Sequence, residues 1–326
     1  MDNTYDITIV GAGPVGLFAS FYAGMRGMKA LVVESREEAG GALTAIYPEK
    51  YIYDMVGFPK ILARDLINNL EAQSSHFNNE TRYNTTITNI VRKEEKLFEL
   101  HTADGETILS RTVVITTGMG SFQPRQLPAA KEKGEIYEKQ VNSGIRYAIR
   151  GKENYYGQEV VIVGGGNSAL DWAHDFDGNS KAVTLVHREK DWQAHEESIT
   201  TLPETGIKVY QPWTVKEIVG AEKLEKVILE HMDTHEEVEV KCDLLIVAIG
   251  YLPSKTKFAG LNLQYKTGAV IVEPSSLMSA EEPGIFAAGD ASTFDGKLKL
   301  ICVGSAEAAI AVNHALKFVD EKASLK

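Results

Sequence analysis

Glycines spaced for phosphate binding occur at two places in the chain. An apolar, β-branched run at 7–10 ends in a Gly-x-Gly-x-x-Gly turn that leads into a helical pattern, and a similar design follows residues 160–163. Glycine permits the tight turn, lets the backbone approach a pyrophosphate and lets the helix pack on the strand, and the helix N-terminus offers free N–H groups. Two dinucleotide sites are therefore predicted, with candidate residues Gly11, Gly13 and Gly16 in the first and Gly164 and Gly166 in the second.

The next strand after each turn ends in side chains of different charge. Residues 30–33 are followed by Glu34, at the spacing where a carboxylate accepts hydrogen bonds from a ribose. Residues 182–186 are followed by four polar residues, His187, Arg188, Glu189 and Lys190. The basic members of this set could neutralise a 2′-phosphate, although a solvated loop would have a similar mixture of charges. The pattern favours NADPH and leaves NADH open.

Two further stretches offer contacts to the rest of a cofactor. Residues 47–53 hold three tyrosines in seven positions. Tyr47 is the candidate to lie near the reactive end of a cofactor, although the pattern by itself favours ordinary half-buried aromatic residues. A late strand ends in Gly289-Asp290, where the carboxylate could hold a ribityl hydroxyl.

The elements that position these residues form two blocks of strands and helices. An amphipathic helix is predicted from 58–60 through Leu70, and a β-meander over 83–117. Glycine and proline cluster at 118–124, which indicates a domain boundary, and 251–254 is the natural return crossing. A helix of small residues is expected from Gly304 to about Lys317. The predicted fold class is α/β, with two Rossmann-like dinucleotide-binding domains of the FAD/NAD(P)-binding three-layer fold, the second inserted in the first.

Composition narrows the class of protein further. The 326 residues are 44% hydrophobic and 24% charged, with a net charge of −11, which argues against nucleic acid as a main partner. No apolar run reaches membrane-spanning length and no signal peptide is evident, so we expect a cytoplasmic protein without a membrane segment. The two cysteines, Cys242 and Cys302, form no Cys-x-x-Cys, which excludes a local redox dithiol, and buried thiols are favoured over a disulfide. We expect no metal site.

Longer segments of the sequence resemble a known family of flavoproteins. Two Gly-x-Gly-x-x-(Gly/Ala) units, strand ends Thr-Thr-Gly and Ala-Ile-Gly, and a late Gly-Asp are the arrangement of flavoproteins with two dinucleotide domains. Nearly end to end, the chain also resembles the ferredoxin/flavodoxin–NADP reductases of the thioredoxin-reductase-like type. The segments that carry this match are 47–54, 57–61, 164–173, 187–188, 194–196 and 287–290. Where thioredoxin reductases place a Cys-x-x-Cys, this chain has residues 143–150, which include no cysteine.

The resemblance implies two cofactors and a protein partner. FAD would lie along residues 1–120 and 251–326, with Tyr47 stacked on the isoalloxazine, and NAD(P)H would bind residues 121–250. Hydride would pass from NADPH to FAD, and single electrons would then pass to a ferredoxin or flavodoxin, in a homodimer. The implied FAD contacts are Gly13, Pro14, Glu34, Gly41, Tyr47, Asp54 and Asp290, the implied nicotinamide-nucleotide contacts are Gly166, Asn167, Ser168, His187 and Arg188, and Gly118 and Phe122 complete the candidate cofactor-binding set.

Three departures from the family keep other functions open. Glu189 and Gln193 stand where arginines are common, and Ala42 stands where a glutamine is usual. The chain ends at 323–326, soon after the last helix, without the family's C-terminal histidine, so we expect a more open flavin. The enzymatic alternative is an NAD(P)H-dependent flavin, quinone or other small-molecule reductase. A non-catalytic redox sensor or partner-binding module is the alternative from another class, and NAD(P)H oxidation would separate the two classes.

Overall fold

The computed structural model consists of two compact units, each with its own parallel sheet. The first unit comprises Met1–Phe122 and Pro253–Lys326, and the second comprises Gln123–Leu252. The structure describes residues 4–131, 144–220, 223–254 and 258–325. Ser143, the first residue of the segment that replaces the Cys-x-x-Cys, lies outside them.

The first unit is built on a buried five-stranded sheet. Its strands run in the order β22-β9-β1-β2-β5 and all pair in parallel. Every residue of the three central strands is buried, as is typical of a sheet covered on both faces. The strands are β1 (Ile7–Val10), β2 (Ala30–Val33), β5 (Glu80–Arg82), β9 (Val113–Ile115) and β22 (Ile285–Ala287).

Four helices and several small sheets complete the described part of the first unit. The helices are α1 (Pro14–Met25), α2 (Ala42–Ala45), α3 (Ala63–Ser74) and α7 (Ile301–Val319), and α1 packs against both α3 and α7. The predicted meander is present as β6 (Ile87–Glu94), β7 (Leu97–Thr102) and β8 (Thr107–Ser110). The remaining strands are β3 (Tyr51–Ile52), β4 (Ile61–Leu62), β20 (Tyr265–Lys266), β21 (Ala269–Ile271) and β23 (Ser292–Thr293).

The second unit repeats the plan on a second five-stranded parallel sheet, in the order β11-β18-β12-β13-β14. Successive residues of its central strands belong to two different hydrophobic clusters, so the sheet has an apolar layer on each face. Its elements are α4 (Pro128–Lys131), β11 (Ile145–Arg146), β12 (Glu159–Val163), α5 (Asn167–Phe176), β13 (Ala182–Val186), α6 (Glu196–Thr200), β14 (Lys208–Tyr210), β15 (Trp213–Val219), β16 (Lys226–His231), β17 (Glu237–Lys241) and β18 (Leu244–Val247). Strands β10 (Ser121–Pro124) and β19 (Tyr251–Ser254) carry the chain between the units.

Both sheets have the same topology around the strand that precedes the glycine turn. The following strand pairs on one side, β2 beside β1 and β13 beside β12, and a later strand pairs on the other, β9 beside β1 and β18 beside β12. This reversal of direction opens a crevice at the carboxyl ends of the strands, where α/β sheets bind ligands. The predicted α/β class with two Rossmann-like units, the second inserted in the first, is confirmed.

Candidate cofactor-binding sites

The glycine turn of the first unit has no room for side chains at two of its positions. Gly11 has φ +110°, and a Cβ there would lie 2.7 Å from the carbonyl oxygen of Thr116. A Cβ on Gly16 would lie 1.8 Å from the carbonyl oxygen of Gly11, so helix α1 packs directly on the turn. The Thr116 hydroxyl fixes this contact by donating to the carbonyl oxygens of Val10 and Gly11, at 3.0 and 2.8 Å. Thr116 is not among the residues predicted from the sequence.

Gly13 differs from these two glycines because its surroundings are open. An added Cβ would meet nothing within 4 Å, and the residue caps α1, in which Pro14 stands at the first position. The first turn of α1, described in full, has no acidic side chain, so its free N–H groups present an uncompensated positive dipole. Gly40 donates its N–H to Ala12 at 2.8 Å, and a Cβ on Gly41 would lie 3.5 Å from Gly13 Cα. The predicted residues 13, 14 and 41 therefore lie together at a helix N-terminus whose free N–H groups suit an anion.

Glu34 lies at the end of β2 and is held against the glycine turn. Its side chain is buried, with Oε2 accepting the N–H of Ala12 at 2.8 Å and Oε1 accepting the N–H of Arg36 at 3.0 Å and the Ser35 hydroxyl at 3.2 Å. An ionised carboxylate has about four acceptor positions, so about one remains for a ribose hydroxyl. The structure thus places this predicted residue beside the predicted turn.

Tyr47 and Asp290 are far apart in sequence and close in the first unit. Tyr47 is half-buried, and burial together with the negative charge of Asp290 raises the pKa of its phenol. Asp290 lies in the single 3₁₀ turn Gly289–Ala291 that follows β22. The Tyr47 ring therefore lies within electrostatic range of Asp290, one of the acidic residues predicted to touch a cofactor.

The other candidates of the first unit have different surroundings. The Asp54 carboxylate accepts the N–H of Ile301 at 2.7 Å, so this side chain caps helix α7, a role that the sequence did not predict. Gly118 follows β9 with φ +60°. Phe122 lies in β10, and its side chain is outside the part of the chain that the structure describes.

The glycine turn of the second unit repeats the geometry of the first. Gly164 has φ +151°, and a Cβ there would lie 2.4 Å from the carbonyl oxygen of Ala248. Gly166 caps α5, which Asn167 and Ser168 begin, and the fully described first turn of α5 has no acidic residue. Asn167 Oδ1 accepts the N–H of His195 at 2.8 Å, which holds the segment after β13 beside the turn. The free N–H groups of this N-terminus likewise suit an anion.

The His187 side chain packs against the glycine turn of the second unit. The residue is 5% exposed, its Nε2 lies 2.9 Å from the carbonyl oxygen of Asp191, and its ring stacks on Trp192 with centroids 4.8 Å apart. A Cβ on Gly165 would lie 2.1 Å from the ring, so the imidazole packs directly against the glycine backbone. Neutralising a 2′-phosphate requires an accessible ring, and the structure instead gives His187 the position of a support for the turn.

Arg188 is exposed and carries an acidic neighbour. Its Nε lies 3.0 Å from Glu189 Oε1, and the two side chains are 72% and 53% exposed. Ion pairs at such exposure contribute only ~0–1 kcal/mol, so Arg188 can leave Glu189 for a stronger anion. Lys190 pairs similarly with Asp233 at 3.0 Å. Of the residues that follow β13, Arg188 and Lys190 are thus exposed cations, each partly neutralised by an acidic neighbour.

The cysteines provide no redox centre of the dithiol type. Both thiols are free, and Cys242 is buried, which raises the pKa of its thiol strongly, whereas Cys302 is half-buried in α7. Across the described ranges, no group of three or more His, Cys, Asp and Glu side chains is arranged to hold a metal ion. None of the helices in the described residues combines the length and apolar character needed to cross a membrane.

Comparison with known proteins agrees with this geometry. The family model described as pyridine nucleotide-disulphide oxidoreductase matches residues 5–310. A protein of Oceanobacillus iheyensis named Ferredoxin–NADP reductase 2 is 38% identical, with 100% of this chain and 98% of the relative covered. A protein of Halalkalibacterium halodurans named Ferredoxin–NADP reductase is 39% identical, with coverages of 99% and 96%.

Solved structures give the same fold. Thioredoxin reductase from Lactococcus lactis, in its FR conformation, superposes with a TM-score of 0.78 at 25% identity, covering 97% of this chain and 99% of that one. Thioredoxin reductase from T. acidophilum gives the same TM-score at 24% identity, with coverages of 98% and 99%, and supports the fold alone. With a family model matched over most of its length and relatives of this identity covered almost completely, the chain belongs to the pyridine nucleotide-disulphide oxidoreductase family, among relatives that are named ferredoxin–NADP reductase.

Proposed function

We propose that this protein is an FAD-dependent ferredoxin–NADP(+) reductase, with FAD bound by the first unit and NADPH by the second. The observation that carries the proposal is the pair of open helix N-termini at Gly13 and Gly166, each beside a strand end of different charge. Glu34 suits the ribose hydroxyls of FAD, and Arg188 suits a 2′-phosphate. The names of the full-length relatives support the same activity.

The residues of the first unit fit a bound flavin. The space around Gly13 admits a pyrophosphate, Glu34 keeps about one acceptor position free, and Tyr47 is a half-buried ring that interacts electrostatically with Asp290. When bound, FAD would accept a hydride from the nicotinamide and release electrons singly. The chain's own task is to stack, align and shield, and the hydride step needs no acid or base from the protein.

The cysteine content bears on the electron acceptor of this enzyme. It favours a protein that accepts single electrons as the acceptor, and it argues against a disulfide substrate. The sequence has two cysteines, and in the structure both are free, with Cys242 buried and carrying a raised thiol pKa. No adjacent thiol pair exists in the sequence to pass electrons onward, so the expected acceptor is a ferredoxin or flavodoxin. Free thiols are also typical of the cytoplasm. The resemblance to the reductase family further supports a homodimer, which light scattering would test.

Truncation of the proposed stacking residue tests the flavin site. Tyr47→Ala should weaken FAD binding about five- to tenfold and shift the flavin visible spectrum, because stacking contributes ~1 kcal/mol beyond the buried area. Fluorescence titration of deflavinated protein with FAD measures the dissociation constant. Tyr53→Ala is the matched control, since that residue is 69% exposed. Equal dissociation constants for the two variants would exclude Tyr47 from the flavin site.

The coenzyme preference depends on Arg188. Arg188→Ala should raise KM for NADPH about tenfold or more, because a hydrogen bond to a charged group contributes ~1.5–3 kcal/mol, and should leave KM for NADH within about twofold. Lys181→Ala is the control, since this exposed lysine immediately precedes the strand that Arg188 follows. Equal increases for both coenzymes would show that Arg188 does not recognise the 2′-phosphate.

Anaerobic stopped-flow kinetics test the whole proposal. We expect fast flavin reduction by NADPH, slower reduction by NADH, and fast reoxidation when reduced enzyme is mixed with ferredoxin or flavodoxin. Purified protein without a flavin spectrum would refute the proposal. The pairing of Arg188 with Glu189 favours one specific alternative, a reductase that also uses NADH. If NADH is equally effective and only free flavins or quinones reoxidise the enzyme, the small-molecule reductase replaces the proposal.

A further inference from the structure

A lysine and a glutamate are buried together in the first unit. Lys297 Nζ and Glu307 Oε2 are in direct contact, and their side chains are 6% and 5% exposed. Removing two charges from water costs more than a buried pair usually returns, and apolar residues of similar volume are often at least as stable. The second oxygen, Glu307 Oε1, is also buried and has no hydrogen-bond partner among the described residues. Stability alone therefore gives no reason for this pair.

The pair holds the turn that carries Asp290. Glu307 Oε2 accepts the N–H of Gly289 at 2.8 Å and the hydroxyl of Ser292 at 3.3 Å. The same hydroxyl lies 2.9 Å from the carbonyl oxygen of Gly289 and 3.1 Å from Lys297 Nζ. Residues 289 and 292 flank Asp290, so both sides of this short turn are fastened to one buried ion pair.

The 3₁₀ turn Gly289–Ala291 also packs against helix α1, which begins at the glycine turn of the first unit. Gly289 has φ +67°, and a Cβ there would lie 2.9 Å from Val15 Cγ2. A Cβ on Gly304 of helix α7 would lie 2.7 Å from the same atom and 3.3 Å from Gly289 Cα. Because Val15 belongs to the first turn of α1, the backbone before Asp290 is placed directly against the helix N-terminus that faces the predicted pyrophosphate.

We propose that Lys297 and Glu307 are positioning residues for FAD. Glu307 accepts the Gly289 N–H and Lys297 holds the Glu307 side chain in place by direct contact, so that Asp290 is held at the position where it meets the ribityl chain. Neither charge needs to touch the cofactor. This inference rests on the proposed binding of FAD by the first unit and adds two residues to that site.

Paired substitutions separate positioning from stability. The double variant Lys297→Met/Glu307→Leu removes both charges, so neither is left uncompensated, and it also removes the acceptor for the Gly289 N–H. The double variant Lys297→Met/Glu307→Gln removes both charges but keeps an acceptor oxygen. We expect the Leu double variant to bind FAD at least about tenfold more weakly, with an apoprotein melting temperature close to that of the wild type, and the Gln double variant to recover most of the affinity. Lys93→Met/Glu99→Leu, at an exposed ion pair of the same unit, is the control.

The measurements are FAD titration and thermal unfolding of the deflavinated full-length protein. If the Leu double variant does not fold, Ser292→Ala provides the test, because it removes one fastening of the turn and leaves the ion pair; it should weaken FAD binding severalfold at unchanged melting temperature. Wild-type affinity in the folded variant, or equal affinity of the Leu and Gln double variants, would overturn the inference. Wild-type protein that binds no FAD would instead refute the proposed function.

Discussion

Gly16→Ala is expected to unfold much of the first unit and to abolish FAD binding. The new methyl carbon would lie 1.8 Å from the carbonyl oxygen of Gly11 and 2.8 Å from Thr116 Oγ1. The first of these atoms is backbone in a turn that is itself fixed by hydrogen bonds, so helix and strand must separate. Overpacking of this severity costs about 3 kcal/mol or more in free energy of unfolding. Circular dichroism melting and the flavin content of the purified protein measure the two effects.

Gly13→Ala, in the same turn, is the matched control. Gly13 has φ −69°, which any residue adopts, and a Cβ would meet nothing within 4 Å, so the apoprotein should melt within a few degrees of the wild type. Its methyl group would project into the space assigned to the pyrophosphate, and FAD affinity should fall about tenfold or more. Unchanged affinity in Gly13→Ala would show that this turn does not hold the pyrophosphate.

Gly165→Ala should impair the use of NADPH while leaving the flavin in place. Its Cβ would lie 2.1–2.4 Å from three atoms of the His187 ring, which is buried and stacked on Trp192. Because the ring cannot move aside, the turn must, and a displacement that costs ~1–3 kcal/mol should raise KM for NADPH about tenfold or more. Steady-state kinetics and the FAD content of the purified variant provide the measurements.

The double variant Gly165→Ala/His187→Ala tests the cause of this effect. Removing the ring creates room for the methyl group, so KM for NADPH should return part of the way to the wild-type value. Recovery would identify the ring as the support of the turn. If Gly165→Ala alone has the kinetics of the wild type, the turn tolerates the displacement and His187 has no such role.

Local patterns were sufficient to predict the repeated strand–turn–helix units but not where every helix begins. The helix predicted from 58–60 begins at Ala63, because Ile61–Leu62 pairs with Tyr51–Ile52 as a short antiparallel strand. The helix predicted from Gly304 begins at Ile301, where the Asp54 carboxylate accepts the first N–H. Both differences come from partners distant in sequence, which periodicity along one segment cannot reveal.

The same limit applies to the sites. Spacing predicted the close packing at Gly11 and Gly16 and the position of Glu34 beside the turn, since the motif itself encodes these contacts. It was not enough for Lys297 and Glu307, because charged residues in a sequence look like surface residues until the fold buries them together. A glutamate within the small-residue run of α7 was the available signal. The burial of His187 likewise depends on Trp192 and on the glycine turn above it.

The packing of the His187 ring against Gly165 has a consequence for how coenzyme preference can change. Of the four residues after β13, His187 is buried and supports the glycine turn, whereas Arg188, Glu189 and Lys190 lie at the surface. Exchanging any of these three surface residues disturbs only weak ion pairs. Selection or a protein engineer can therefore vary the charge of these three positions at little cost to folding. Glu189→Arg is the simplest such step, and a lineage could gain or lose strict NADPH dependence through single surface substitutions of this kind.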